Sequence, residues 1–423
     1  MPKPVTTKRK GAATSKRSSD ASDAPAPPSC YREEDRTMVV HGDVRRVPYF
    51  WLRKKRNPRV REFVAAESKY ANAMIPSSAV DALYKEHRRR IKETDASLPF
   101  LYKGYFHYVR DREGLDHEIH CRKLAASDPT FDERCAALLQ EDPDADIPAD
   151  DAEEVVLDLN VERSQRGSSS IELGDMDPSP SQTLLAYSLN LSDGKEEYTL
   201  YVKDMTTNLV LRKITRVDKL GKPGPHVAWA SDTVFYFTVL NARDRCFAVV
   251  RCDLSAVYKP PQSPATPNLA DAAWRDEATY TDGQTGLTVV YRERDETFSV
   301  EVLCRSHDET HMVFSVASPN TNEWHFAAAE NDLEWSPFWR RERGVQYYVF
   351  PHPHGWIVTH DRGESKNRQI DVCTSLEHWP IPHDAVRPLV PYDARVVVED
   401  VDCYQQFILA TVLLNALPPR ARH

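Results

Sequence analysis

No run of apolar residues in this 423-residue chain is long enough to cross a bilayer, and no secretory pattern stands at its start. No membrane partner is expected. The most apolar stretch, Phe407 to Leu414, has only the length of a strand. Eight cysteines (Cys30, Cys121, Cys135, Cys246, Cys252, Cys304, Cys373 and Cys403) form no Cys-x-x-Cys pair. That spacing argues against a zinc site or a disulfide framework and for reduced thiols in the cytoplasm. A net charge of -9 argues against a general phosphate-binding surface, so no nucleic-acid partner is expected. Such a charge ordinarily serves solubility, and it also suits basic peptides.

Metal-ligand spacing is missing as well. His352-Pro353-His354 places two imidazoles together with no accompanying Cys or carboxylate motif, and reads as an exposed loop between strands. His117-Glu118-Ile119-His120 lacks the i, i+4 histidine pair of a zinc protease and sits in a strand-like setting. The acidic run from Ala125 to Glu154 lacks the glycine and the spacing of a calcium loop, and reads as a self-repelling, mobile surface loop. No cofactor, no metal ligand and no catalytic residue is assigned.

What the chain does have is a series of short β-like runs that recur at about 50 residues. Leu184–Ser188, Val234–Thr238, His311–Ser315, Trp356–Thr359 and Phe407–Thr411 are apolar, rich in β-branched and aromatic residues, and bounded by polar or turn residues, as the inner strand of a repeat should be. Partner strands lie between them at Tyr198–Val202, Phe247–Val250, Phe298–Val302 and Ile370–Val372. The overlong interval from Val234 to His311 contains Pro260, Pro261, Pro264 and Pro267, which cannot sit in a ladder and mark a surface insertion near 259–285. Removing it restores the spacing. The expected fold is therefore mainly β, an incomplete propeller of about five blades and part of a sixth. A β-sandwich is the alternative.

Two segments precede the strands. Residues 1–35 are rich in Lys, Ser, Ala and Pro and are expected to be disordered. Lys8-Arg9-Lys10 with Lys16-Arg17 has the form of a split nuclear-import signal, and the scarcity of acids before Asp20 fits a transit peptide; a flexible tail without an address is preferred to both. Residues 36–95 form a helical extension. Pro58 suits a helix start, followed by a stripe through Val60, Phe63, Val64 and Tyr70, and a second stripe runs through Val80, Leu83, Tyr84, His87 and Ile91. Arg88, Arg89 and Arg90 read as a solvated face. From 96 to 423 the chain is strand-rich, opening with a hairpin of Tyr102–Arg110 and Glu118–Arg122.

Pro48-Tyr49-Phe50-Trp51-Leu52-Arg53, with the helix ending at Glu67-Ser68-Lys69-Tyr70, resembles the amino-terminal signature of the prolyl oligopeptidase family of serine peptidases, and within it oligopeptidase B. Further similar segments follow in family order: Arg90–Pro99, Gly104–Tyr108, Leu184–Ser188, Tyr198–Asp204, Asp295–Val300 and Val398–Asp402. Singly these are weak; the ordered set, covering about Pro48 to Asp402, is specific. Val47 stands where relatives usually carry an aspartate. The resemblance implies a seven-bladed propeller over an α/β-hydrolase domain, with the helical extension packed on that domain. It further implies gated cleavage of short peptides after Lys or Arg, the basic side chain being met by carboxylates.

The family's chemistry needs a serine at a strained strand-to-helix turn, an aspartate, a histidine and an oxyanion hole. Gly-x-Ser-x-Gly is absent, and Gly167-Ser168-Ser169-Ser170 reads as a flexible turn. No alternating strand-helix section follows the strands, so the α/β-hydrolase domain is expected to be missing and the chain to be a truncated or fragmentary gating portion, inactive alone. A catalytically dead propeller that binds peptides or proteins, and a fragment of a prolyl oligopeptidase that cuts after Pro, are the alternatives.

Overall fold

The computed structural model describes residues 26–33, 36–142, 145–149, 151–255, 258, 286–329, 334–374 and 379–417. Most of the amino-terminal tail and the Pro-rich insertion near 259–285 lie outside the described residues. Two compact units divide the chain, Met1–Glu93 and Thr94–His423.

The first unit holds a hairpin, β1 (Thr37–Val40) and β2 (Asp43–Arg46), and two helices, α1 (Pro58–Met74) and α2 (Ser77–Arg88). Asn57 caps α1 by accepting from the Arg59 amide at 3.0 Å, and Pro58 supplies the preset first turn. Trp51 is the anchor: it is buried, its Nε1–H donates to the Tyr31 carbonyl at 2.8 Å, and its ring meets Phe63 edge-on. The stripe on α2 is present, yet no residue of α2 is buried. The arginines beside it form ion pairs, Arg88 with Glu93 at 2.7 Å and Arg90 with Glu86, as a solvated face should.

The second unit is a succession of antiparallel sheets. The first contains β3 (Asp95–Ala96), β4 (Phe100–Tyr102), β5 (Tyr105–Asp111), β6 (Ile119–Leu124) and β7 (Glu153–Asp158). Between β6 and β7 the acidic stretch is not a loop: it carries α3 (Phe131–Glu141), and Ile147 beyond it is 1% exposed. Phe131 and Cys135, one helical turn apart, pack on Phe106, Tyr108, Ile119 and Cys121 of the sheet. Arg110 pins the segment from below, donating to Glu153 at 2.7 Å and to the Ile147 carbonyl at 2.5 Å. The acidic count concealed this apolar spacing. A short helix, α4 (Leu159–Gln165), follows, capped by Asp158 on the amides of Asn160 and Val161.

Three four-stranded meanders come next: β8 (Glu172–Pro178), β9 (Leu184–Asn190), β10 (Tyr198–Asp204) and β11 (Val210–Ile214); then β12 (Lys222–Trp229), β13 (Val234–Leu240), β14 (Cys246–Asp253) and β15 (Leu287–Arg292); then β16 (Ser299–Arg305), β17 (His311–Ser318), β18 (Thr321–Ala328) and β19 (Ser336–Pro337). A fifth sheet has β20 (Tyr347–His352), β21 (Gly355–His360), β22 (Gln369–Cys373) and β23 (Val386–Val390), and a hairpin of β24 (Val396–Cys403) and β25 (Ile408–Leu414) closes the described chain. The recurring runs read from sequence become β9, β13, β17, β21 and β25, the second strand of each sheet. Phe298–Val302, expected as a partner strand, lies largely in β16, which pairs with β17 and opens the fourth sheet.

Alternation explains why these strands are apolar on both faces. Leu184 and Ala186 of β9 pack with Phe235 and Phe237 of β13, while Leu185, Tyr187 and Leu189 point the other way, toward Val156 and Leu157 of β7. Tyr236 on the opposite face of β13 meets Met312 and Phe314 of β17. The same relay continues from Val313 and Phe326 to Trp356 and Val358, and from Ile357 and Ile370 to Val398 and Val401. Successive sheets pack on one another in chain order. Two facing layers would give one such interface, so the sandwich is excluded and the arrangement is that of a β-propeller.

Candidate functional site

Strands of the first four sheets of this unit converge on a cavity of about 260 Å³, whose wall includes Tyr102, Asp175, Asp177, Trp229, Cys304 and Arg305. These residues come from β4, β8, β12 and β16. Beside it Lys103, in the β4–β5 turn, forms an ion pair with Glu309, in the β16–β17 turn, so the first and fourth sheets meet there. Lys103 and Gly104 both have positive φ, 49° and 80°, the left-handed backbone that a two-residue hairpin turn requires.

Asp175 and Asp177 lie two residues apart on β8, hence on one face. Asp177 Oδ2 accepts from the Trp229 amide at 2.8 Å, Asp175 Oδ2 accepts from the Val227 amide at 3.3 Å, and Trp229 Nε1–H donates to the Asp177 carbonyl at 2.7 Å. Burial raises both carboxyls above their usual range, Asp177 to about 7, and the backbone donors offset only part of that. Burial likewise lowers His226 on β12. β8, β12 and β16 carry the acids Glu172, Asp175, Asp177 and Glu301 and the cations Lys222 and Arg305, of which Lys222 is paired with Glu197 at 2.7 Å. Sequence reasoning missed these acids; the one legible signal was Asp175-Met176-Asp177, charges at a two-residue step within a strand.

The hydrolytic chemistry has no counterpart here. Ser168 Oγ donates to the carbonyls of Ser170 and Leu191, which makes its segment a structural turn, as expected. Buried or half-buried histidines do pair with acids, His360 with Asp371 at 3.0 Å and His325 with Glu323 at 3.2 Å. Among the described residues, however, no serine hydroxyl hydrogen-bonds to a histidine. His352 and His354 occupy the β20–β21 turn, where the His354 amide donates to His352 Nδ1 at 3.2 Å, and His120 lies on β6. No group of three or more His, Cys, Asp or Glu among the described residues is placed to hold a metal. None of the eight cysteines, all among the described residues, forms a disulfide.

Antiparallel sheets stacked in chain order, with β8, β12 and β16 lining one polar cavity, define the class: a β-propeller. Residues 28–256 and 282–419 match the family described as prolyl oligopeptidase, N-terminal beta-propeller domain, and the chain belongs to that family. It is 26% identical over 406 residues to dipeptidyl aminopeptidase BI of Pseudoxanthomonas mexicana, covering 92% of this chain and 49% of that protein. Protease 2 of Moraxella lacunata is 30% identical over 212 residues, covering 49% of this chain and 27% of that protein. Oligopeptidase B from Trypanosoma brucei, solved in a closed form with covalently bound antipain, superposes with a TM-score of 0.66 at 22% identity, over 92% of this chain and 50% of that one. Oligopeptidase B from Leishmania major gives 0.66 at 20% identity, over 92% and 49%. The chain thus spans about half the length of the curated relative that it matches from end to end. No helix among the described residues is long and apolar enough to cross a membrane.

Proposed function

We propose that this chain is the gating propeller of an oligopeptidase B-like serine endopeptidase that hydrolyses short peptides after Lys or Arg in the cytoplasm. In this reading the propeller, incomplete by itself, belongs to a ring of seven blades. The nucleophile, the acid and the histidine reside in an α/β-hydrolase partner domain, and the propeller admits extended peptides while sparing folded proteins. One observation carries the reading: a peptidase-family match across nearly the whole described chain coexists with no serine-histidine contact among the described residues. Asp175 and Asp177 in the cavity wall support basic peptides as partners, because a carboxylate in a weakly solvated cavity favours a guanidinium or ammonium group. Eight cysteines outside any disulfide support a reducing setting.

A fluorogenic peptide ending in Arg tests it. The purified chain is expected to show no turnover sensitive to a serine-directed inhibitor, and clear inhibitor-sensitive turnover refutes the division of labour. Sequencing the gene beyond the codon for His423 gives a second test, with Gly-x-Ser-x-Gly followed by an aspartate and a histidine as the expected result.

A further inference from the structure

The net charge of -9 is divided unequally along the chain. Met1–Glu93 holds 22 Lys and Arg against 11 Asp and Glu, whereas the remaining residues hold 33 against 53. The first unit is basic within an acidic protein, so the whole-chain total does not describe the partners of that unit. Its excess is concentrated: from Arg45 to Arg61 there are eight Lys and Arg and not one Asp or Glu. All eight are exposed, and among the described residues only Arg45 of these forms an ion pair, with Asp43 at 2.7 Å. Aromatic rings hold part of the charge in place. The Arg36 and Arg53 guanidiniums lie 4.3 and 5.0 Å from the centroid of the single Phe50 ring, which gathers two like charges. Glu33 is a neighbouring acid, its amide donating to the Pro48 carbonyl at 2.9 Å, yet its carboxylate pairs with none of these cations among the described residues. Tyr31 and Tyr49 are 49% and 43% exposed, each with an arginine over its ring, Arg59 at 3.9 Å and Arg32 at 5.8 Å. Cations so gathered repel one another, and a multivalent anion relieves the repulsion while releasing its own counterions.

We propose that the Arg45–Arg61 surface of the first unit binds single-stranded nucleic acid, its cations following the phosphates while Tyr31 and Tyr49 stack on bases. A duplex keeps its bases stacked on one another, and a lipid surface offers phosphates without planar rings, so exposed tyrosines among the cations favour the single strand over either. The surface needs no hydrolytic partner, and its occupancy is read without any peptide cleavage.

Fluorescence anisotropy of a labelled oligothymidylate titrated with the full chain tests the site. Saturable binding is expected that weakens about 100-fold between about 50 and 200 mM salt, as counterion release from about five phosphates requires. Replacing three exposed cations together, Lys54→Gln, Lys55→Gln and Arg56→Gln, should keep the melting temperature, lower affinity at least about tenfold and reduce the logarithmic salt slope by about 2. Tyr49→Ala should weaken binding about fivefold or more and leave that slope as it was. Heparin, a polyanion without bases, a DNA duplex, and vesicles of phosphatidylserine and phosphatidylcholine in equal parts should each compete more weakly than unlabelled oligothymidylate at equal charge. Equal competition by any of the three, undiminished binding by the natively folded triple variant or by Tyr49→Ala, or no saturable binding of the oligothymidylate overturns the proposal.

Discussion

β13 and β25 are both seven-residue apolar strands, second in their sheets, yet every residue of β13 is buried and none of β25 is. Hydrophobicity does not separate them; neighbours do. β13 lies between β12 and β14 and is packed on both faces by adjacent sheets, whereas among the described strands β25 pairs with β24 alone and packs on one face, toward Ile357 and Ile370. Burial in this fold is conferred by the sheet before and the sheet after, so equal sequences acquire unequal weight according to their place in the succession.

Three substitutions would sharpen or break that contrast. Phe235→Ala on β13, at 0% exposure, should destabilise the second unit by about 3–5 kcal/mol in chemical denaturation, through lost transfer energy and a cavity that two sheets cannot close. A loss below about 1 kcal/mol would mean that the sheets repack freely. Asp177→Asn should act next most strongly, with an effect that grows as pH rises from about 4 to 7 and is full above that. Asp177 titrates at about 7 when folded against 3.8 ordinarily, so between those values the folded chain binds more protons than the unfolded one and stability falls as pH rises. An asparagine still accepts from the Trp229 amide but carries no charge. It should therefore stabilise on the order of 3 kcal/mol at pH 8, have little effect at pH 4, and flatten the melting profile between. Leu409→Ala on β25, at 50% exposure, should shift stability by less than about 0.5 kcal/mol. A loss equal to that of Phe235→Ala would erase the distinction.

The sequence revealed the strands that both faces bury, because an unbroken apolar run such as Val234–Thr238 has few other uses at that length. It concealed elements whose apolar residues are sparse. Phe131 and Cys135 sit a helical turn apart among acids, and charge density masked them; Leu159–Gln165 is a helix started by one capping aspartate, with too few apolar residues to show a period. The first strands were the hardest to read, since they mix polar and apolar residues around a cavity. Glu172–Pro178 has no fully buried residue although it carries Asp175 and Asp177. The candidate site was therefore less legible than the scaffold, and the absence of a nucleophile motif was its clearest written feature.

The two carboxylates of β8 reach backbone amides that also lie two residues apart, Val227 and Trp229, on the opening strand of the neighbouring sheet. Those amides face away from β13, where an opening strand would otherwise present bare donors. Side chains from one sheet thus finish the main chain of the next, and they do so at a fixed pitch. Sliding one sheet by a single residue would place both oxygens between donors, so the match works as an index mark that fixes how the two sheets align.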